Sequence, residues 1–226
     1  MRLGVLFSGG KDSTYALYKA MDTGEVVCLI TLASKNPESY MFHTPNIHVT
    51  VLQAEALGLP SVKKSTEGVR EEELADLSEA VLEARQKYGI EGVVTGAVAS
   101  TYQAKRVQCI CDRLSLRCIN PLWGREQLGL LSEIIGCGFE VAITAVAAYP
   151  FDDSWLGRVI DEETVDKLGV LQDKYRINPA GEGGEIETTV LDAPIFSKRV
   201  TIMEAEKTGG GNAWKYNIKK AVLEDK

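Results

Sequence analysis

Six consecutive residues, Ser8, Gly9, Gly10, Lys11, Asp12 and Ser13, bring together groups suited to holding a phosphate. Gly9 and Gly10 lack a Cβ, so their amides can approach an anion and adopt dihedrals closed to other residues. Ser8, Ser13 and the adjoining Thr14 supply hydroxyl donors, and Lys11 supplies a full positive charge. A helix starting here would add unpaired N–H groups and a partial positive charge. Asp12 is the informative member, because a carboxylate beside a phosphate repels it unless a cation lies between them, and Mg2+ is the natural mediator. Asp12 is therefore the expected metal ligand. The spacing is neither that of G-x-x-x-x-G-K-[ST] nor that of G-x-G-x-x-G.

A second constellation lies far along the chain. Glu182, Glu185 and Glu187 flank a Gly-Gly pair, and three carboxylates so close repel one another unless something cationic sits among them. Gln103 and Arg106 follow an apolar run of strand length, which places them where a substrate carboxylate or a phosphate would lie, and Arg106 is a suitable partner for either. Tyr40, Phe42, Trp123 and Trp155 offer aromatic faces for a cationic group, with core packing as the alternative for at least half of them. His43 and His48 receive no catalytic role.

Positioning these residues requires regular elements. Residues 2–7 form an apolar run of strand length, followed by the polar loop and a helical pattern ended by Gly24. The unit recurs, with a buried strand at 26–33, a helix capped by Thr44 with Pro45 at its first position and stopped by Gly58, a short strand at 61–64, a helix at 71–88 stopped by Gly89, and a buried strand at 92–98. A helix over 101–114, a strand at 117–120, a helix at 125–135 and a last strand at 139–147 follow. Such alternation predicts an α/β fold with a doubly wound parallel sheet, covered on both faces. Ligands of such sheets bind at the carboxyl ends of strands, where residues 8–13 lie. Beyond Pro150 the pattern changes to one helix (162–174), the Gly-rich acidic stretch, and β runs at 188–191, 195–204 and 213–222, the last two joined as a hairpin through residues 208–212. The expected domains are 1–150 for nucleotide binding and 151–226 as a smaller α+β substrate domain.

Composition narrows the function classes. The 226 residues are 45% hydrophobic and 25% charged, which excludes disordered and fibrous classes and leaves room for a real cavity. A formal charge of -7 disfavours a large nucleic-acid surface, so no nucleic-acid partner is expected. The first residues lack the length of a signal peptide and no run approaches the span of a bilayer, so a cytoplasmic protein without a membrane partner is expected. The five cysteines include no Cys-x-x-Cys pair, and Cys109 and Cys111 point to different helix faces, so reduced thiols are expected rather than a zinc site. Oligomeric state is left open.

The loop SGGKDS resembles the PP-loop of the N-type ATP pyrophosphatases, whose usual form is SGGxDS. The resemblance implies an adenine nucleotide α-hydrolase-like fold, cleavage of ATP between its α and β phosphates, and Mg2+ at the leaving pyrophosphate. Further stretches resemble one branch, the diphthine-ammonia ligases: residues 39–43, GAVASTYQAKR at 96–106, PLWGR at 121–125, WLGR at 155–158, and above all GEGGEIETTVLDAP at 181–194. The last commonly reads GEGGEFETLVLDAP, so Ile186 stands for the usual Phe and Thr189 for Leu. What the resemblance implies is ATP-dependent amidation of diphthine on translation elongation factor 2 by free ammonia, through an acyl-adenylate. The implied nucleotide residues are Ser8, Gly9, Gly10, Lys11, Asp12, Ser13, Thr14 and Gly96. Tyr40, Gln103, Arg106, Trp123, Glu182, Glu185 and Glu187 are the implied substrate residues, with Lys11, Asp12, Glu185 and Glu187 catalytic. The rival readings are another PP-loop ligase, acting on a small molecule or a tRNA, and a non-catalytic adenine-nucleotide sensor.

Overall fold

The computed structural model describes residues 1–36, 46–69 and 71–226. They form two compact units, the first made of Met1–Ser8, Asp12–Thr50 and Gly58–Trp123, the second of Gly9–Lys11, Val51–Leu57 and Gly124–Lys226. The main division thus falls between Trp123 and Gly124, ahead of the boundary expected near residue 150.

Through residue 123 the order is β1 (Arg2–Leu6), α1 (Lys11–Ala20), β2 (Glu25–Ser34), a 3-10 turn at Ile47–Val49, α2 (Thr50–Leu57), β3 (Ser61–Thr66), α3 (Glu73–Tyr88), β4 (Gly92–Val94), α4 (Thr101–Arg113) and β5 (Arg117–Ile119). The strands form one parallel sheet in the order β3-β2-β1-β4-β5. Because β1 has β2 on one side and β4 on the other, the winding reverses beside it, and the loop after β1 opens at that switch point. Leu3 and Val5 are fully buried, as a central strand covered on both faces demands. Helix α3 places Leu77, Ala80, Val81 and Ala84 on one stripe, packed with Ile30 and Val93 of the sheet and Val107, Ile110 and Cys111 of α4. Gly89 ends α3 in the left-handed conformation, its N–H donating to Arg85 O.

The remaining elements are α5 (Gln127–Gly136), β6 (Glu140–Ala147), a 3-10 turn at Asp153–Trp155, α6 (Glu162–Tyr175), β7 (Ile186–Asp192), β8 (Arg199–Gly210) and β9 (Ala213–Glu224). Their sheet is antiparallel, in the order β7-β6-β9-β8. The first half of β6 bonds instead to the stretch around Gly157, with Ile143 N–H donating to Arg158 O at 2.9 Å and Ile160 N–H to Val141 O at 2.8 Å. Gly157, at φ 78°, lies against the Tyr216 ring, which a Cβ would approach to 3.2 Å. This gives the WLGR stretch a packing reason.

Two expectations are corrected. The strand expected at 92–98 ends at Val94, because Thr95 Oγ1 accepts from Ala97 N–H at 3.2 Å and turns the chain out of the sheet. The strand expected to close the parallel sheet at 139–147 is β6 of the antiparallel one, since an apolar run buried on both faces does not disclose the direction of its partners. The cap at Thr44 and Pro45 lies outside the described residues. Leu77→Ala should destabilise the protein by about 2 to 5 kcal/mol. Chemical denaturation followed by circular dichroism checks this, and a loss no larger than at a surface site would contradict the core assignment.

Candidate functional site

At the switch point, Ser8 and Ser13 face one another across the turn. Their Oγ atoms lie 3.1 Å apart, and Ser8 N–H donates to Ser13 Oγ at 3.2 Å. Thr14 is fully buried under the start of α1. Gly96, after β4, presses on the same turn, since a Cβ there would lie 2.8 Å from both Asp12 C and Ser13 N. Its role is close approach of backbone to backbone. Asp12 stands in the first turn of α1, and among the described residues no group of three or more His, Cys, Asp or Glu could hold a metal ion. One carboxylate at a phosphate cradle suits Mg2+, which takes one or two protein carboxylates and completes its shell with phosphate oxygens and water.

Gly9–Lys11 belongs with the second unit because its backbone lies along β7. Gly9, at φ 78°, accepts at its carbonyl from Val190 N–H at 3.0 Å. Lys11 N–H donates to Thr188 Oγ1 at 3.1 Å. The buried Lys11 ammonium donates to the Ala180 carbonyl, so the cation lies at the start of the acidic turn. Gln53, on α2 and fully buried, donates to Gly9 O at 2.9 Å and Val190 O at 2.8 Å. Sequence reasoning missed Gln53 and Thr188; a lone amide between the apolar Leu52 and Ala54 of α2 was the signal for the first.

The three glutamates are not equivalent. Glu185 is folded back on its own turn, accepting from Asn178 N–H at 3.1 Å, Asn178 Nδ2 at 2.6 Å and Gly183 N–H at 2.8 Å. Gln127 braces that turn, donating to Asn178 Oδ1 at 3.2 Å and accepting from Ala180 N–H at 3.0 Å. Glu185 therefore shapes the turn. Gly181, at φ 77°, is required there, because a Cβ would collide with the Ile186 carbonyl. Glu187 is the second residue of β7 and is partly buried, and burial raises its carboxyl from an ordinary 4.5 to about 7, an effect the Lys215 ammonium partly offsets. Glu187 and Lys215 both pair with Ala145 of β6, one from each side. Glu182 sits partly exposed between Gly181 and Gly183.

The other expected substrate residues have surroundings of their own. Arg106 is ion-paired with Glu71 and stacked on Tyr102, its Cζ 3.4 Å from the ring centroid. Gln103 donates its backbone N–H to the cap Ser100 Oγ at 3.4 Å. Trp123, 46% exposed, lines a cavity of about 550 Å3 with Lys105, Cys109 and Asn120. Trp155 packs edge-on against Phe151 with centroids 5.0 Å apart. Tyr40, Phe42 and His43 lie outside the described residues. All five cysteines are free, and no described helix is long and apolar enough to cross a membrane.

A Gly-Gly turn after the central parallel strand, leading into a helix that opens with Lys11 and Asp12, defines an α/β protein with a glycine loop at the switch point of its sheet. Comparison with known proteins narrows the class: residues 1–118 match the diphthamide synthase N-terminal domain and residues 126–223 the diphthamide synthase C-terminal domain. The rat protein named diphthine–ammonia ligase is 36% identical over 91% of this chain and 84% of its own length, and the human protein of the same name is 35% identical over the same shares. The chain belongs to this family, the diphthine–ammonia ligases. Among solved structures, a predicted subunit of tRNA methyltransferase from Methanocaldococcus jannaschii aligns over 86% of this chain and 98% of its own, at 19% identity and a TM-score of 0.47.

The elevated Glu187 carboxyl has a stability consequence. Its folded pKa exceeds its unfolded one, so between pH 4.5 and about 7 the folded state holds more proton and stability falls as pH rises. Glu187→Gln should flatten the fall of Tm between pH 5 and 8. A slope identical to wild type would remove Glu187 as its source. Gly181→Ala should destabilise by roughly 1 to 3 kcal/mol, measured by thermal melts.

Proposed function

We propose that this chain amidates the diphthine carboxylate of translation elongation factor 2 with ammonia, cleaving ATP to AMP and pyrophosphate. The observation that carries the reading is the phosphate loop anchored on β7, the strand that follows the acidic turn and carries Glu187. Family membership supports the substrate, and a cytoplasmic site of action belongs to the same proposal, since the elongation factor works there.

In this reading the Ser8 and Ser13 hydroxyls, the Gly10 amide and the start of α1 receive the β and γ phosphates of ATP, and the Lys11 ammonium balances their charge. Asp12 would hold Mg2+, which supplies neutralisation of the departing pyrophosphate. The substrate carboxylate attacks the α phosphorus; the O–P bond to the leaving pyrophosphate breaks and an acyl-adenylate forms. Ammonia then attacks the acyl carbon and AMP leaves. Glu187 accepts the proton that the new amide nitrogen sheds, a task suited to a carboxylate titrating at about 7. Arg106 exchanges Glu71 for the substrate carboxylate, and Glu182 attracts the incoming ammonium, which gives one proton to water before ammonia attacks.

The test is pyrophosphate release with MgATP, ammonium and diphthine-bearing elongation factor, against each omitted in turn. Release should require all three. Nucleotide binding without release under the full mixture would favour a sensor. Asp12→Asn should lower turnover at least about a hundredfold while the melting curve stays intact, and full activity would remove Asp12 from the mechanism. Glu187→Gln should lower amide formation by about 10²-fold or more and abolish the rise of rate through pH 7, with nucleotide affinity retained. Equal loss of affinity and rate would mean that Glu187 only supports the loop.

A further inference from the structure

A peptide flanked by two glycines is the least restrained link in the chain, because neither residue has a Cβ to bar rotation of the plane. The Gly9–Gly10 peptide is such a link, and it stands at the centre of the phosphate loop. Its carbonyl is nonetheless gripped twice, by Val190 N–H at 3.0 Å and by Gln53 Nε2 at 2.9 Å. In a trans peptide the C=O of one residue and the N–H of the next point in opposite directions. A Gly9 carbonyl fixed toward Val190 and Gln53 therefore fixes the Gly10 N–H away from them.

The chemistry of Gln53 fits this task and no simpler one. It is 0% exposed on a helix whose neighbouring residues Val49, Ala54 and Ala56 are apolar and buried. Its amide nitrogen donates both hydrogens to carbonyls, Gly9 O and Val190 O, without bringing a charge inside. A lysine would add a charge, and a glutamate would set a carboxylate against two carbonyl oxygens. Gln53 Oε1 has no hydrogen-bond partner among the described residues, so the side chain leaves a buried acceptor unsatisfied while both its donors are used. The donors are what the position requires.

We infer that Gln53 is a positioning residue for the phosphate loop, holding the Gly9 carbonyl and with it the loop backbone in the conformation that receives the β and γ phosphates of ATP. The inference rests on the nucleotide reading above and adds to it a residue outside the loop. Gln53→Met keeps length and lacks both donors. Calorimetry should show MgATP and inorganic pyrophosphate binding about tenfold more weakly than to wild type, with AMP affinity unchanged, because AMP lacks the phosphates that the loop receives. If wild type binds neither MgATP nor pyrophosphate, the nucleotide reading falls and this inference with it. Wild-type binding with an unchanged affinity in Gln53→Met overturns the inference alone. So does parallel weakening of AMP and pyrophosphate, which would make Gln53 merely structural. Should Gln53→Met fail to fold, the wild-type protein answers by NMR: pyrophosphate should shift the Gly10 amide resonance, and shifts that leave Gly10 unmoved overturn the inference.

Discussion

A strand at the edge of a sheet carries outward amides and carbonyls that must find partners or be left to solvent. In β7 that requirement is met by the phosphate loop and its support. Val190 turns both its N–H and its carbonyl away from β6, toward Gly9 and Gln53, and Thr188 on the same strand accepts from Lys11 N–H. The loop conformation is therefore templated by a strand more than 170 residues later in the chain. Glycine at position 9 makes the positive φ accessible, but β7 selects it.

The same strand organises the acidic turn. Residues 181–185 close on themselves through the Glu185 carboxylate and the side chains of Asn178 and Gln127, which fixes where β7 begins and hence where Glu187 emerges. Two glutamates a single residue apart thus have different work. Glu185 is occupied by three donors of its own turn, while Glu187 is drawn into the sheet and held near neutrality by burial against the pull of Lys215. Environment rather than residue type divides the roles. Lys11, reaching Ala180, brings a cation to the start of that turn, so the charge that the three carboxylates called for comes in part from the loop itself.

What could be read from the sequence was local. An apolar run ending in Ser-Gly-Gly announced strand, loop and helix, and Gly89 after a striped helix announced the end of α3, because each feature depends on residues a few positions apart. The parallel sheet and its switch point followed from alternation. What escaped depended on distant partners: β6 has the apolarity of a doubly covered strand whichever sheet it joins, and β4 stops short because Thr95 turns the chain and Gly96 must approach Asp12 and Ser13. Gln53, Asn178 and Gln127 act only through pairs 7 to 137 residues apart, which no periodicity reveals. The part of Glu185 in shaping its own turn escaped for the same reason, its three donors being invisible in composition.

Arg106 shows why an apparent conflict between structure and role need not be one. It is paired with Glu71 and stacked on Tyr102, and the arginine is the more buried partner, 25% exposed against 56% for the glutamate. The stacking fixes the guanidinium plane whichever carboxylate stands before it, and the planar fork suits any carboxylate in bidentate fashion. Under the proposed reaction a substrate carboxylate would take the place that Glu71 holds, with Tyr102 keeping the plane oriented.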